Sequence, residues 1–173
     1  MPRSKAHDRS GILRVLGLDP GLTRTGYAVI VVHNRKLNLK AYGCIFTEKI
    51  PTYGERLLEI ESRLTALIQR HRPTNAALEQ LFVTKNLKTA IAVGQARGVA
   101  VLTLARARVP VAECTPQQVK IAVTGYGRAD KQQVQRMVQR LFHLQEIPKP
   151  DDAADAIAVA VAATLTLQTR IRL

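Results

Sequence analysis

Four acidic residues stand in otherwise apolar surroundings, where charged side chains are uncommon. Asp19 ends the apolar run ILRVLGL, Glu79 lies within AALEQLF, and Asp152 and Asp155 open a nearly all-apolar segment. Each acid has a structural alternative: a turn residue before Pro-Gly, an outward-facing strand residue, or a helix cap that complements the helix dipole. Taken singly, each acid is explained as well by its structural alternative as by a functional role.

Capping alone does not explain the acids of the last segment. One cap suffices to begin a helix, whereas Asp151, Asp152 and Asp155 lie within a single turn. Residues three apart share a helix face, so Asp152 and Asp155 can converge on one point. We therefore assign helix capping to Asp151, which follows Pro150, and metal binding to Asp152. Clustered carboxylates are tolerated with bound cations or raised pKa values.

The ligand types indicate which metal such a cluster would hold. Carboxylate oxygens select hard cations, so the acids favour Mg²⁺ or Mn²⁺. The chain's 4 His are too scattered along the sequence to indicate a zinc site. Two such ions roughly 4 Å apart would activate a water and stabilise the leaving oxygen of phosphodiester hydrolysis.

The net charge points to a polyanionic partner. The chain has 26 Lys and Arg against 13 Asp and Glu, a formal charge of +13, and the basic residues recur along its whole length. This pattern predicts a basic face that meets phosphate. Solubility is the weaker alternative, because acids serve it equally well. A basic surface around an acidic pocket indicates a nuclease.

Length and composition predict one globular domain. The chain has 173 residues, of which 46% are hydrophobic and 23% charged, which suits a single buried core. We expect a flexible basic tail over residues 1–11 and the domain over 12–173. Cys44 and Cys114 lie in apolar segments and are expected as small buried hydrophobes. With no membrane-length or leader-like apolar run, we expect a cytoplasmic protein without membrane contact.

The first part of the domain has the pattern of an antiparallel meander. Apolar runs over 12–18, 26–32 and 37–47 predict three strands, separated by turn signals at residues 19–21 and 33–36. Short links between consecutive strands are typical of antiparallel pairing.

The rest of the chain alternates helices and strands. Leu57 to Ile68 carry helical apolar spacing that ends near His71, and residues 87–107 form an Ala-rich helix. Further strands are predicted at 76–81 and 109–114. Capping signals at Thr115 and Asp130 begin two more helices, and a buried helix is predicted over 151–169. The order predicts an α/β fold with a mixed five-stranded sheet flanked by helices.

Four sequence blocks together resemble a known family. The blocks are LGLDPGLTRTGYAVI, LEQLFVTKN, GQARGVA and DDAADAIAVA, in that order over nearly the whole chain. The chain resembles the RuvC-type crossover junction endodeoxyribonucleases, which are Holliday-junction resolvases. This resemblance implies an RNase H-like fold, with three antiparallel strands followed by parallel ones. It also implies paired cutting of four-way DNA junctions in recombination and repair.

The resemblance also assigns the acids. It places Asp19 on the central strand as a metal ligand, Glu79 as a bridging carboxylate, and Asp152 and Asp155 as the closing pair. Two Mg²⁺ ions per site are implied, with Mn²⁺ as a substitute. Some relatives have His where this sequence has Asp152, so this position is the least constrained of the four.

Further residues are candidates for DNA contact through the same resemblance. Phe82 would wedge into or stack on opened bases at the junction, although a loop residue tucked into the core is an equal alternative. Lys120 and Lys131 are suited to stabilising charge at the cut. The candidates for phosphate contact, each with a solvated surface charge as its alternative, are Lys85, Asn86, Arg97, Lys120, Arg128 and Lys131.

Paired cuts imply a homodimer, because two-fold symmetry supplies two equivalent sites. Gly94 and Gly98 lie four apart in the second predicted helix and would let another helix approach closely. Packing of this helix against its own sheet is the alternative. The resemblance further implies a branch-migration motor as a partner.

Two other functions are compatible with parts of the sequence. The segment Asp19-Pro20-Gly21-Leu22-Thr23 resembles the first phosphate loop of the actin and sugar-kinase fold. That fold needs two lobes, for which this chain is too short. An RNA-cutting relative or a non-catalytic junction-binding protein is the second alternative, since RNA would satisfy the charge equally well. The full set of acids favours catalysis.

Overall fold

The computed structural model describes residues 12–80 and 87–170. Five strands form one sheet in the order β3-β2-β1-β4-β5. They are β1 (Leu13–Asp19), β2 (Arg24–His33), β3 (Lys36–Phe46), β4 (Asn75–Glu79) and β5 (Val111–Cys114). The first three strands pair antiparallel, whereas β4 runs parallel to β1 and β5 parallel to β4. The predicted mixed five-stranded sheet is confirmed.

Five helices surround the sheet in the described ranges. They are α1 (Tyr53–His71), α2 (Leu87–Arg106), α3 (Pro116–Thr124), α4 (Lys131–Leu141) and α5 (Asp151–Arg170). The predicted capping boxes of α3 and α4 are present, with Thr115 and Asp130 each accepting a hydrogen bond from the backbone N–H three residues on. A third box, Thr52 with Glu55, begins α1 before its apolar spacing starts. None of the helices in the described residues is long and apolar enough to cross a membrane.

The core is divided by the sheet into two layers. Side chains alternate along β1, so Leu16 packs with α1 and α2 while Val15 packs with α3, α4 and α5. Helix α5 is buried at every position from Ala156 to Thr164, as its composition predicts. It lies directly on β1 because Gly17 has no side chain, and a Cβ there would overlap the carbonyl oxygen of Ala156.

Two predicted strands are shorter in the structure. The fourth ends at Glu79, and Leu81, its predicted last residue, lies outside the described residues. The fifth begins at Val111, because the backbone N–H of Val109 bonds the Leu104 carbonyl at the end of α2 and Pro110 has no N–H to donate. Both thiols are free; Cys114 is buried as predicted, whereas Cys44 is only partly buried. The predicted tail, residues 1–11, lies outside the described residues.

Candidate active site

The acidic residues meet at one end of the sheet. Asp19 is the last residue of β1 and Glu79 the last residue of β4. These strands are parallel neighbours, with Leu18 paired to Leu78, so their carboxyl ends lie side by side. Helix α5 begins at the same end and contributes Asp155. Strand pairing thereby brings together acids that are 60 residues apart in the sequence.

A small cavity of about 150 Å³ contains the centre of this cluster. Asp19, Glu79 and Asp155 line it, together with Lys120 from α3 and Lys131 from α4. Its remaining wall consists of Pro116, Val119, Val134, Ala158 and Val159. Carboxylates and amines thus share a partly apolar enclosure, where charge interactions are stronger than in water.

Asp152 does not line this cavity. Its Oδ2 lies 3.8 Å from Nε of Arg24, at the start of β2. Its charge still acts on the cluster, because it contributes to raising the pKa of Asp19. The structure therefore brings three of the four predicted acids together directly and leaves the fourth beside them, turned toward an arginine.

Burial and mutual repulsion raise the pKa values of the three carboxylates in the cavity. Burial, followed by the charges of Asp155, Asp152 and Glu79, raises the pKa of Asp19 from 3.8 to about 7. Burial and the charge of Asp155 also raise the pKa of Glu79. Burial raises the pKa of Asp155 although Lys131 opposes the shift. Added positive charge would therefore stabilise the ionised cluster.

Lys131 bridges two acids of α5. Its Nζ donates to Oδ2 of Asp151 at 2.6 Å and to Oδ2 of Asp155 at 3.0 Å. Burial works to lower the pKa of Lys131, but the hydrogen bonds to Asp151 and Asp155 and the charges of these acids together outweigh burial, and the pKa is raised. The hydrogen bond from Lys131 lowers the pKa of Asp151. Asp151 was predicted to cap α5 from the position before the helix. In the structure it is the first residue of α5, and its side chain forms an ion pair with Lys131.

Arg97 was predicted to contact phosphate, but in the structure its side chain contacts other residues of the protein. Its side chain is only 13% exposed and pairs with Glu113 at 2.5 Å. Its Nη1 donates at 2.7 Å to the backbone carbonyl of Glu79. The guanidinium is occupied in tying α2 to the ends of β4 and β5, so Arg97 is a positioning residue for Glu79.

The other predicted contact residues divide into two groups. Lys120 is partly buried in the cavity wall, and Arg128 is exposed in the turn just before α4. Phe82, Lys85 and Asn86 lie outside the described residues, and their assigned roles remain predictions.

Arg24 and Gly26 belong to the site but were not identified from the sequence as site residues. Arg24 meets Asp152, and Gly26 pairs with Asp19 across β1 and β2. Both follow the Asp-Pro-Gly turn in the block LGLDPGLTRTGYAVI. The resemblance of that whole block to the family was the one sequence signal that could have identified these two residues.

The donor set fits a hard divalent cation. Three carboxylates of the cavity offer only oxygen ligands, and burial together with neighbouring acids raises the pKa values of Asp19, Glu79 and Asp155. The three carboxylates are therefore candidate metal ligands. Over the described ranges, no three acidic, His or Cys side chains are arranged to enclose an ion as they stand.

The sheet order, the carboxylates at its adjacent strand ends and the acidic terminal helix define an RNase H-like nuclease fold. A model of the family "Crossover junction endodeoxyribonuclease RuvC" matches residues 15–163. The chain belongs to this family, whose members are metal-dependent nucleases.

Individual members of the family are similar to this protein along most of the chain. The crossover junction endodeoxyribonuclease RuvC of Heliobacterium modesticaldum is 50% identical over 153 residues, covering 88% of this chain and 94% of that protein. The RuvC structure from Thermus thermophilus superposes with a TM-score of 0.83 at 32% identity, covering 91% of this chain and 96% of that one. A structure of T. thermophilus RuvC in complex with Holliday junction substrate gives 0.84 at 33% identity, with the same coverage.

Proposed function

We propose that this protein resolves four-way DNA junctions by hydrolysing a pair of phosphodiester bonds in DNA recombination and repair. The observation that supports this most directly is the cavity in which Asp19, Glu79 and Asp155 face Lys120 and Lys131. Acids that hold cations and amines that bind phosphate are the groups such hydrolysis requires. A relative of similar fold was solved with a Holliday junction substrate.

Asp19, Glu79, Asp152 and Asp155 are the proposed ligands of two Mg²⁺ ions, with Mn²⁺ as a substitute. When bound, the metal would supply an activated water and stabilise charge on the leaving oxygen. The chain's own residues hold the scissile phosphate. Lys120 stands close enough to Glu79 for its charge to oppose the rise in that acid's pKa, which supports a role for its ammonium in stabilising phosphate oxygens at the cut.

The proposed DNA-contacting surface surrounds this cavity. Lys120, Lys131 and the exposed Arg128 lie on or just before α3 and α4, and the sequence assigns further contacts to Phe82, Lys85 and Asn86. Phosphate contacts carry no sequence information and would serve RNA equally well. The family membership favours DNA as the substrate.

A homodimer is proposed through the exposed side of α2. Among the described residues, no atom outside the helix backbone lies within 4 Å of a Cβ added at Gly94 or Gly98. These glycines therefore do not pack on the chain's own sheet, which was the alternative. Ile91 and Leu102 are 53% and 50% exposed, whereas the opposite side of α2 is buried against α1. An exposed apolar face with small residues is suited to a symmetric helix contact.

Two further parts of the proposal rest on the sequence, the first on its composition and the second on the family resemblance. We place the protein in the cytoplasm, and we expect a branch-migration motor as a partner.

Cleavage of a synthetic four-way DNA junction in Mg²⁺ tests the function. Matched linear duplex DNA and a four-way RNA junction serve as substrate controls, and Asp19→Asn serves as the enzyme control. We expect two symmetric nicks in the DNA junction only. Equal cutting of the RNA junction would support the RNA alternative, and no cutting of either junction by folded protein would refute the proposal.

A further inference from the structure

The position of Lys131 affects how the acidic cluster binds metal. This inference rests on the proposed function. Lys131 is the first residue of α4 and reaches two acids one turn apart on α5. Only Asp155 lines the cavity with Asp19 and Glu79; Asp151 does not, and its side chain is 52% exposed. The ammonium therefore has one anionic partner inside the acidic cluster and one outside it.

A cation at Asp155 and the ammonium of Lys131 compete for the same carboxylate. Lys131 donates to Oδ2 of Asp155 at 3.0 Å, and an ion bound there would face a positive charge at close range. Metal binding to the free protein must therefore work against this contact. Asp151, 2.6 Å from the same ammonium, keeps Lys131 at the mouth of the site when it leaves Asp155.

A phosphate in the cavity offers Lys131 a third anionic partner. Lys131 itself lines the cavity, and its side chain is 54% exposed, so it meets an incoming phosphate without further rearrangement of α4. Once the ammonium binds a phosphate oxygen, Asp155 loses its counter-charge and gains affinity for a divalent cation.

We propose that Lys131 couples metal binding to DNA binding. In the free protein its ammonium occupies Asp155 and weakens metal binding. In the DNA complex it moves to phosphate and leaves Asp155 to the metal. Such coupling is reciprocal, so metal strengthens junction binding by the same factor by which the junction strengthens metal binding.

Lys120 provides the matched control. It lines the same cavity, but within the described residues it makes no ion pair at 4.0 Å or less with any acid. Removing either lysine lowers the positive charge near the metal ligands by one. Any effect of Lys131→Gln that exceeds that of Lys120→Gln therefore reports the contact with Asp155 rather than the general field.

The test measures Mg²⁺ affinity by calorimetry in wild type, Lys131→Gln, Lys131→Arg and Lys120→Gln. Each protein is titrated alone and with a four-way junction whose central linkages are phosphorothioates, which retain charge and resist hydrolysis. Gel analysis of the junction after titration verifies that it is intact. We expect free Lys131→Gln to bind Mg²⁺ at least about 5-fold more tightly than free Lys120→Gln. The gain in affinity on adding the junction should shrink in Lys131→Gln and persist in Lys131→Arg.

Equal Mg²⁺ affinities and equal gains for Lys131→Gln and Lys120→Gln would overturn the coupling and leave the proposed function intact. Absence of Mg²⁺ binding by wild type, both free and with the junction, would instead contradict the proposed metal site itself. Because the Lys131 side chain is half exposed, we expect the Gln variant to fold, and its circular dichroism spectrum checks this.

Discussion

Gly26 lies directly beneath the backbone carbonyl of Asp152, and a Cβ at position 26 would overlap that oxygen. Gly26 is also the register partner of Asp19 across β1 and β2. The absence of a side chain at one position therefore allows the start of α5 to approach the strand end that carries Asp19. The spacing of the acids depends on this close approach.

Gly26→Ala should displace the first turn of α5. We expect a loss of roughly 1–3 kcal/mol in the free energy of unfolding, as overpacking causes, and at least a 10-fold loss of junction cleavage, since positioning errors of about 1 Å cost that much or more. Urea unfolding and a cleavage time course measure the two effects. Gly54→Ala is the control, because among the described residues no atom outside the backbone of its own helix and its chain neighbours lies within 4 Å of its added Cβ. A Gly26→Ala protein as active as Gly54→Ala would contradict the close contact.

Asp19→Asn should separate chemistry from binding. The acid lies at the centre of the cluster, whereas affinity for DNA is attributed to the basic residues around it. We expect cleavage to fall by more than about 100-fold, in line with the 10- to 100-fold cost of losing even an outer-shell partner of a metal site, while junction affinity changes by less than about 3-fold. Gel-shift titration beside a cleavage assay distinguishes the two. Cutting at the wild-type rate would exclude Asp19 as a ligand.

The metal-free protein should lose stability as pH rises from about 4 to about 7. Burial and neighbouring acids raise the pKa of Asp19 to about 7 in the folded state, against 3.8 as its ordinary value. Between these values the folded state binds more protons than the unfolded state, so the free energy of unfolding falls with increasing pH. The raised pKa values of Glu79 and Asp155 act in the same direction.

Melting temperatures of wild type and Asp19→Asn, measured in EDTA across this range, check the pH prediction. The comparison cancels His71 and other distant titrating groups, so the difference reports Asp19 together with the acids that interact with it. We expect the advantage of Asp19→Asn to grow with pH and to level off above about pH 7. Adding Mg²⁺ at pH 8 should stabilise wild type more than the variant. A pH-independent difference would show that Asp19 ionises normally.

Arg97 and Lys120 should respond differently to salt. Arg97 is buried against the Glu79 carbonyl, so Arg97→Met should reduce cleavage by about 10-fold, as loss of a supporting contact does, without changing the salt dependence of junction binding. Lys120→Ala should lower the slope of log affinity against log salt by about one, as loss of one phosphate contact does. Fluorescence anisotropy at several salt concentrations measures the slopes. A reduced slope for Arg97→Met would restore it as a phosphate contact.

Local signals predicted most of the architecture. The capping residues Thr115 and Asp130 located two helix starts, since a cap acts on amide groups only a few residues away. The apolar runs of β1 to β3 and the short links between them likewise predicted the antiparallel part of the sheet. The family resemblance, rather than spacing, supplied the pairing of Asp19 with Glu79.

Contacts between distant segments could not be predicted in this way. The sequence around Arg97 is compatible with a surface cation, and only the folded structure shows its contact with the end of β4. The bridge from Lys131 to Asp155 likewise depends on the packing of α4 against α5. Helical periodicity predicted that Asp152 and Asp155 converge on one point, but of these two only Asp155 lines the cavity. Periodicity gives no information on Arg24, whose Nε lies 3.8 Å from Oδ2 of Asp152.

The burial of α5 implies that the active site is lost only when the whole domain unfolds. Its residues from Ala156 to Thr164 are enclosed on all sides, so their amide hydrogens should exchange only through opening of the whole domain. Asp155 immediately precedes this stretch and cannot leave the end of β1 by a small local fluctuation. Loss of cleavage on heating should therefore coincide with the cooperative melting of the protein, with no inactive but folded species accumulating below it.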